Sequence, residues 1–417
     1  MRPRRILVLT HELPPLGGGA GKAMLDLCAA LAARGLEIEA WTQRPPSPYL
    51  PGYPFRVRFF STGRSIQFQT SVPTILLFSL RALWSGLWLG RRRPDLIFSN
   101  TGIPTGVIGA WLARLHGARH AIWYHGADVH QNRRQGAGLA YRLALKAAWA
   151  GTDFHGFVSQ GLLQMAEGYG GMRGTRMVLP LFGDTAKPAA SRSPAPSVSS
   201  AAGGLDAARD SRTRIFLFAG RLEAVKDPFL FLSAIDGLRN SGRLPAEVRF
   251  RMVGGGALYA PLQSGILAYK LSSLVSLEPP VPGEAMAGLY ARAFAVVLTS
   301  VVEGFPLTIL EAALHGVPAI GPDTLGVNEE IADGKTGLLF APGDAGACGQ
   351  AIMRLLEEEG LRDFFWGRWR RGFEISWLLF SIHLKVFVSA AMRKGESSKY
   401  SQGAKKDLLR ALNPHLK

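Results

Sequence analysis

The stretch Ser300-Val-Val-Glu303-Gly304-Phe305-Pro306-Leu307-Thr308-Ile-Leu-Glu311-Ala-Ala-Leu-His-Gly316-Val-Pro318 decides the fold. An apolar strand pattern, Phe294–Thr299, runs into it, and a helical pattern, Leu307–His315, runs out of it. Pro318–Gly321 then resumes as a short strand. Strand, helix and strand in so short a span imply a βαβ unit and a parallel sheet. This reading places Glu303 at the end of the strand and Glu311 two turns into the helix. The turn between them opens the helix, so free backbone N–H groups and the positive end of the helix dipole converge on one spot. Such a spot suits a diphosphate, and a carboxylate beside it suits the hydroxyls of a sugar or a ribose.

The same alternation extends upstream. Arg214–Ala219 reads as a strand, Pro228–Arg239 as a helix, and Glu247–Val253 as a strand that ends in Gly254-Gly255-Gly256. Between the first two lies Gly220-Arg221-Leu222-Glu-Ala-Val-Lys226-Asp227. Arg221 and Lys226 follow a strand and can converge, and two cations there suit an anionic group. The first half repeats the pattern with strands at Arg5–Thr10, Leu36–Thr42, Asp95–Ser99, His120–Tyr124 and Phe154–Ser159, and a helix over Ala20–Arg34. Residues 187–212, rich in Pro, Ala, Ser and Gly and without an aromatic residue, read as a flexible linker. The expected domains are therefore 1–186 and 213–365, with a helical segment at 366–391 and a polar, basic tail at 392–417.

Taken together, the Glu303…Glu311 stretch resembles the E-x7-E signature of family 4 retaining glycosyltransferases (glycosyl transferases group 1), and Gly220-Arg221-Leu222…Lys226 is similar to the family's G-R-L-x3-K segment. Gly17-Gly18-Gly19, after the first strand, stands where the family has a glycine loop on the acceptor side, and His125-Gly126-Ala127-Asp128 resembles its H-G-x-D segment. The resemblance implies the α/β GT-B fold, two Rossmann-like doubly wound domains facing a central cleft. It implies that Glu303 and His125 lie near the donor sugar and that Glu311 holds the ribose. Gly220, Gly304, Phe305, Leu307 and Thr308 belong with the donor, whose phosphates or sugar meet the turn's amides, and residues 366–391 pack back on the first domain. The implied partners are a UDP-sugar or GDP-mannose and a saccharide or lipid-linked acceptor, with no separate cofactor. Asp-x-Asp is absent, so metal-independent transfer is expected. Three segments depart from the family: Val178–Asp184 lacks the usual Asn, Val275-Ser-Leu-Glu278-Pro279-Pro280 stands in place of V-x-F-x-G, and Gly35-Leu36-Glu37 replaces Gly-His-Glu. The alternative reading is a non-catalytic protein of the same fold that binds membrane or polysaccharide.

Other motifs fail. Gly21-Lys22 is not a P-loop, because Leu16 and Ala23 stand where Gly and Ser or Thr are needed. His116, His120, His125 and His130 cannot share one helical face, so no metal site is expected. Cys28 and Cys348 lie in apolar helical patterns and read as buried thiols. The run Ile6–Leu9 is too short for the apolar core of a signal peptide.

Composition completes the reading. The 417 residues carry a net charge of +17 and are 47% apolar, which excludes a disordered or collagenous chain. Basic residues are dispersed and no nucleic-acid motif is present, so nucleic acid is not an expected partner. Residues 1–93 hold 13 Lys or Arg against four acids, and residues 360–417 hold 12 against four. Both ends also carry apolar stretches, Val72–Gly90 and Ile375–Ala391. Arg81, His383 and Lys385 interrupt them, so they read as buried or surface-lying helices rather than spans. The expected location is the inner face of the cytoplasmic membrane, with the protein peripheral on its anionic surface.

Overall fold

The computed structural model describes residues 4–46, 50, 52–64, 71–90, 93–126, 129, 139–181, 213–281 and 283–368. They form two units, residues 4–181 and 213–368 as far as they are described.

In the first unit the elements run β1 (Arg5–Leu9), α1 (Gly19–Ala32), β2 (Glu37–Gln43), β3 (Arg56–Phe60), α2 (Val72–Leu87), β4 (Leu96–Ser99), α3 (Val107–His116), β5 (Arg119–Tyr124), α4 (Leu139–Ala150), β6 (Phe154–Phe157), α5 (Gln160–Glu167) and β7 (Thr175–Val178). Every pairing is parallel, in the order β3-β2-β1-β4-β5-β6-β7. Strand order reverses between β1 and β4, which makes their carboxyl ends a switch point where ligands of such sheets bind. Central strands are covered on both faces and therefore read as unbroken apolar runs, such as Ile6–Leu9 and Leu96–Phe98, all buried. Trp41, Phe60 and Phe78 pack edge to face beneath α2 and α3.

In the second unit the order along the chain is β8 (Arg214–Ala219), α6 (Pro228–Asn240), β9 (Val248–Val253), α7 (Tyr259–Ala268), β10 (Val275–Glu278), α8 (Gly283–Arg292), β11 (Ala295–Val297), α9 (Leu307–Leu314), β12 (Ala319–Pro322), β13 (Gly337–Phe340) and α10 (Ala345–Glu357). The sheet is again wholly parallel, β10-β9-β8-β11-β12-β13, with its switch point between β8 and β11. Phe216, Phe231 and Phe250 form its aromatic centre. Cys28 and Cys348 are buried free thiols, and burial raises both pKa values, that of Cys348 to about 12.

Two details of the deciding stretch are corrected. β11 ends at Val297, so Glu303 lies in the loop beyond it rather than at the strand's last residue. α9 begins at Leu307, which puts Glu311 one turn in rather than two. Among the described residues no helix is long and apolar enough to cross a membrane, and Val72–Leu87 is the surface helix α2. The segments at 187–212 and 369–417 lie outside the described residues, and so does the packing expected of 366–391 on the first domain.

Candidate functional site

At the second unit's switch point, two segments about 80 residues apart interlock. Thr299, two residues beyond β11, donates its hydroxyl to the carbonyls of Lys226 and Asp227 (2.9 and 2.8 Å), and the Val301 amide donates to the Val225 carbonyl (2.9 Å). Thr308, in the first turn of α9, donates to the carbonyl of Ala219 at 3.3 Å. Held this way, the Lys226 ammonium donates to Glu303 Oε1, which also accepts from the Ser300 hydroxyl at 2.6 Å. Glu303 is buried, with 9% of its surface exposed, so the carboxylate depends on these donors. Asp227 caps α6 by accepting from the Leu230 amide, and Pro228 takes the first helical position, where its missing N–H is not needed.

The close approach of the loops that follow β8 and β9 explains the glycines. Gly220 sits at φ +158°, and a Cβ on Gly254 would lie 1.8 Å from the Gly220 carbonyl oxygen. Gly254 and Gly256 thus let β9 end flush against Gly220–Leu222. Behind the Glu303 loop, Gly326 at φ +82° leaves no room for a Cβ, which would meet the carbonyl of Glu303 at 2.6 Å.

α9 has no side-chain cap and no acidic residue in its first turn, and its N-cap is Pro306. The Ile309 amide donates to the Pro306 carbonyl (2.9 Å), so it is the amides of Leu307 and Thr308 that suit an anion. Glu311 accepts from the Tyr290 hydroxyl at 2.9 Å, and Tyr290 stacks on His315 at 6.0 Å. Burial, then the Glu311 charge, raise the Tyr290 pKa, so it stays a donor at neutral pH.

The structure brings Lys226, Glu303, Ser300 and the start of α9 together. It does not bring Arg221 onto Lys226: the Arg221 guanidinium is largely exposed and pairs with Glu223 at 2.8 Å. Arg221 and Glu223 are the two ends of a tight turn closed by the Glu223 amide donating to the Arg221 carbonyl (3.0 Å), a local partner that spacing to Lys226 alone does not reveal.

The first unit's switch point is built differently. Thr10 donates to the Glu12 carbonyl (2.5 Å), Asn100 Nδ2 donates to Thr10 Oγ1 (3.0 Å), and His125 Nε2 meets Asn100 Oδ1 at 2.6 Å. The Thr10 proton is committed to Glu12, so Asn100 must present its amide nitrogen to Thr10 and its oxygen to His125. His125 therefore carries its proton on Nε2. Its Nδ1 is buried without a partner. Burial, then the nearby His11, lower its pKa to about 3, so the ring is neutral. Gly17 has φ +83°, and a Cβ there would strike Glu12 at 2.5 Å, while Gly18 and Gly19 are exposed at the start of α1. Asp128 and His130 lie outside the described residues. His116, His120 and His155 are each engaged with separate protein groups: Gly86, Ser99 with Thr152, and Tyr124 with Arg173.

Ser300, Tyr290, Thr10, Asn100 and Gly326 went unread in the sequence. Only Ser300, three residues before Glu303, left a local signal.

Comparison with known proteins agrees with this architecture. Residues 206–365 match the family described as glycosyl transferases group 1, and residues 18–181 match the glycosyl transferase 4-like domain. Between them the two models cover most of the chain, consistent with a family 4 glycosyltransferase. It is similar to the D-inositol 3-phosphate glycosyltransferase of Frankia alni, 35% identical over 34% of this chain and 37% of that protein. The corresponding protein of Arthrobacter sp. is 32% identical over 35% of each chain. The match thus spans little more than a third of the length of these curated relatives. In fold, the chain resembles sucrose-phosphate synthase from Thermosynechococcus elongatus, with a TM-score of 0.75, 19% identity, and 93% and 100% of the two chains covered. It also resembles Anabaena HepE in complex with UDP and glucose, with a TM-score of 0.67, 16% identity, and 98% and 100% covered. The two parallel-sheet α/β units are those of the GT-B fold.

Proposed function

We propose that the protein is a retaining, metal-independent glycosyltransferase that moves a sugar from a nucleoside-diphosphate donor to a saccharide or lipid-linked saccharide, in the synthesis of cell-surface polysaccharide or glycolipid. The observation that carries the proposal is the Lys226–Glu303 pair held beside the uncapped start of α9 at a switch point. A bound diphosphate draws the Lys226 ammonium and the amides near Phe305, Leu307 and Thr308, and the solvent-facing Arg221 supplies a second cation on approach. Glu311, positioned by Tyr290, accepts from the ribose hydroxyls. Glu303 accepts from a donor-sugar hydroxyl once Lys226 is shared with phosphate.

As the bond between the sugar's anomeric carbon and the phosphate oxygen breaks, negative charge grows on the leaving phosphate, where Lys226 and Arg221 stabilise it. The acceptor hydroxyl oxygen bonds to that carbon from the side the nucleotide leaves, and its proton passes to the leaving oxygen. His125 serves the sugar's hydroxyls, and Gly17, Gly18 and Gly19 line the acceptor side. UDP is the favoured nucleotide, with GDP the alternative, because the structural relative HepE is described with UDP and glucose. The basic, apolar-rich chain ends support a peripheral position on the inner face of the cytoplasmic membrane.

The test is a panel of UDP-sugars and GDP-mannose with saccharide and lipid-linked acceptors in EDTA, with product anomers read by NMR. Transfer in EDTA with the donor's anomeric configuration retained is expected. Strict metal dependence or an inverted product overturns the mechanism.

A further inference from the structure

One face of the first unit is built against the rule for a water-exposed surface. α2 buries Thr74, Phe78, Ala82 and Gly86 against the sheet, yet its opposite face is also apolar. Leu76, Leu80, Trp84 and Trp88 recur every four residues along it, with Leu80 64%, Trp84 65% and Trp88 73% exposed. A helix apolar all round belongs in a core or against another apolar phase. The stripe continues onto the neighbouring α3 through the exposed Trp111 and Leu115. The two helices are locked together: a Cβ on Gly86 would lie 2.2 Å from Leu112, and His116 Nε2 donates to the Gly86 carbonyl at 2.7 Å. α4 lies on the other side of α3.

Charge selects the phase. Across α2, α3 and α4 there is no Asp or Glu, while Arg81, Arg114, Arg142 and Lys146 are all exposed. Tryptophan beside leucine, fringed by cations and free of acids, is the composition of a surface that sits at the headgroups of an anionic bilayer. The helices of the second unit do not share it. α6 and α10 carry Asp236 and Glu357 among their cations, and exposed apolar residues there are scattered.

We infer that the α2–α3–α4 face is the element by which the protein docks on an anionic lipid bilayer, with Leu80, Trp84 and Trp88 entering the headgroup region. The inference rests on the membrane reading above and deepens it by naming the contact. The test uses the full chain with vesicles of equal parts phosphatidylcholine and phosphatidylglycerol, some with brominated acyl chains. Wild type should sediment with vesicles at low salt, less so at high salt or with phosphatidylcholine alone, and show bromine-quenched tryptophan emission. A Leu80→Glu/Trp84→Glu variant should partition at least about tenfold more weakly, with unchanged far-ultraviolet circular dichroism because both side chains face outward. If wild type binds and the variant binds equally, this face is not the docking element although the membrane reading stands. If wild type does not bind, both fall. If wild type without lipid is a dimer that the substitutions split, a second copy covers the face and the inference is overturned.

Discussion

The two units share one topology, a parallel sheet reversing at its first strand, yet their switch points are chemically different. In the second unit the point is ionic: Lys226 against a buried Glu303, with Arg221 and Glu223 at its rim. In the first, a neutral relay of hydroxyl, amide and imidazole, Thr10–Asn100–His125, joins the strand ends, and the Arg64–Glu12 pair stands beside it at 3.9 Å. Under the proposed function, the contrast assigns each a different part of the ligand. An ionic point can trade partners with a phosphate, because Lys226 exchanges one anion for another at little desolvation cost. A neutral relay fixes the tautomer of His125, leaving its buried Nδ1 an acceptor that the proposed function assigns to a sugar hydroxyl.

The substitutions that break the contrast most strongly are Lys226→Ala and Glu303→Ala. Each removes half of a charge pair from a partly buried site, and each is expected to lower kcat by about 100- to 1000-fold in a transfer assay. Near-normal turnover in both would end the ionic assignment. Glu311→Ala should weaken nucleotide binding by about tenfold or more in calorimetry, and Tyr290→Phe by a smaller factor, since the phenol only positions the carboxylate.

Asn100→Asp sharpens the comparison. A carboxylate still accepts from His125 Nε2 but favours the imidazolium, turning Nδ1 from acceptor to donor. Nitrogen-15 NMR of labelled histidine should show the Nε2–H tautomer in wild type and a raised His125 pKa in the variant. Donor-sugar KM should rise while free UDP binding stays the same. The smallest effect is global. His120 and His155 are buried and neutral, their pKa values lowered by burial to about 3 and about 4. Only the unfolded chain takes up their protons as pH falls below about 6.5, so stability present at neutral pH is lost progressively toward those lower values. Tryptophan emission, with Trp41, Trp123 and Trp149 buried in the first unit, should report a lower Tm at about pH 5 than at about pH 7. An unchanged Tm would deny the neutral character of that unit.

What the sequence made legible follows from locality. The apolar runs and glycine-ended helices gave the parallel α/β units, and Glu303, Glu311 and Lys226 stood out by spacing. β3, with its Arg56-Val-Arg58 alternation, went unread because an edge strand carries a weaker apolar signal. The Thr10–Asn100–His125 relay was illegible because its members are 90 and 25 residues apart, and Asn100 is an unremarkable residue after a strand. Gly254–Gly256 were visible as glycines, but only the 1.8 Å approach to Gly220 shows why they are needed.

The central claim is that the second unit's ionic switch point holds a nucleoside diphosphate through Lys226 and Glu311. Calorimetric titration of UDP, with GDP and ADP as comparisons, into wild type, Lys226→Ala and Asn100→Leu in EDTA tests it most directly. The account predicts saturable binding to wild type and Asn100→Leu and loss in Lys226→Ala. Absence of binding by every nucleotide, or equal loss in both variants, would contradict it.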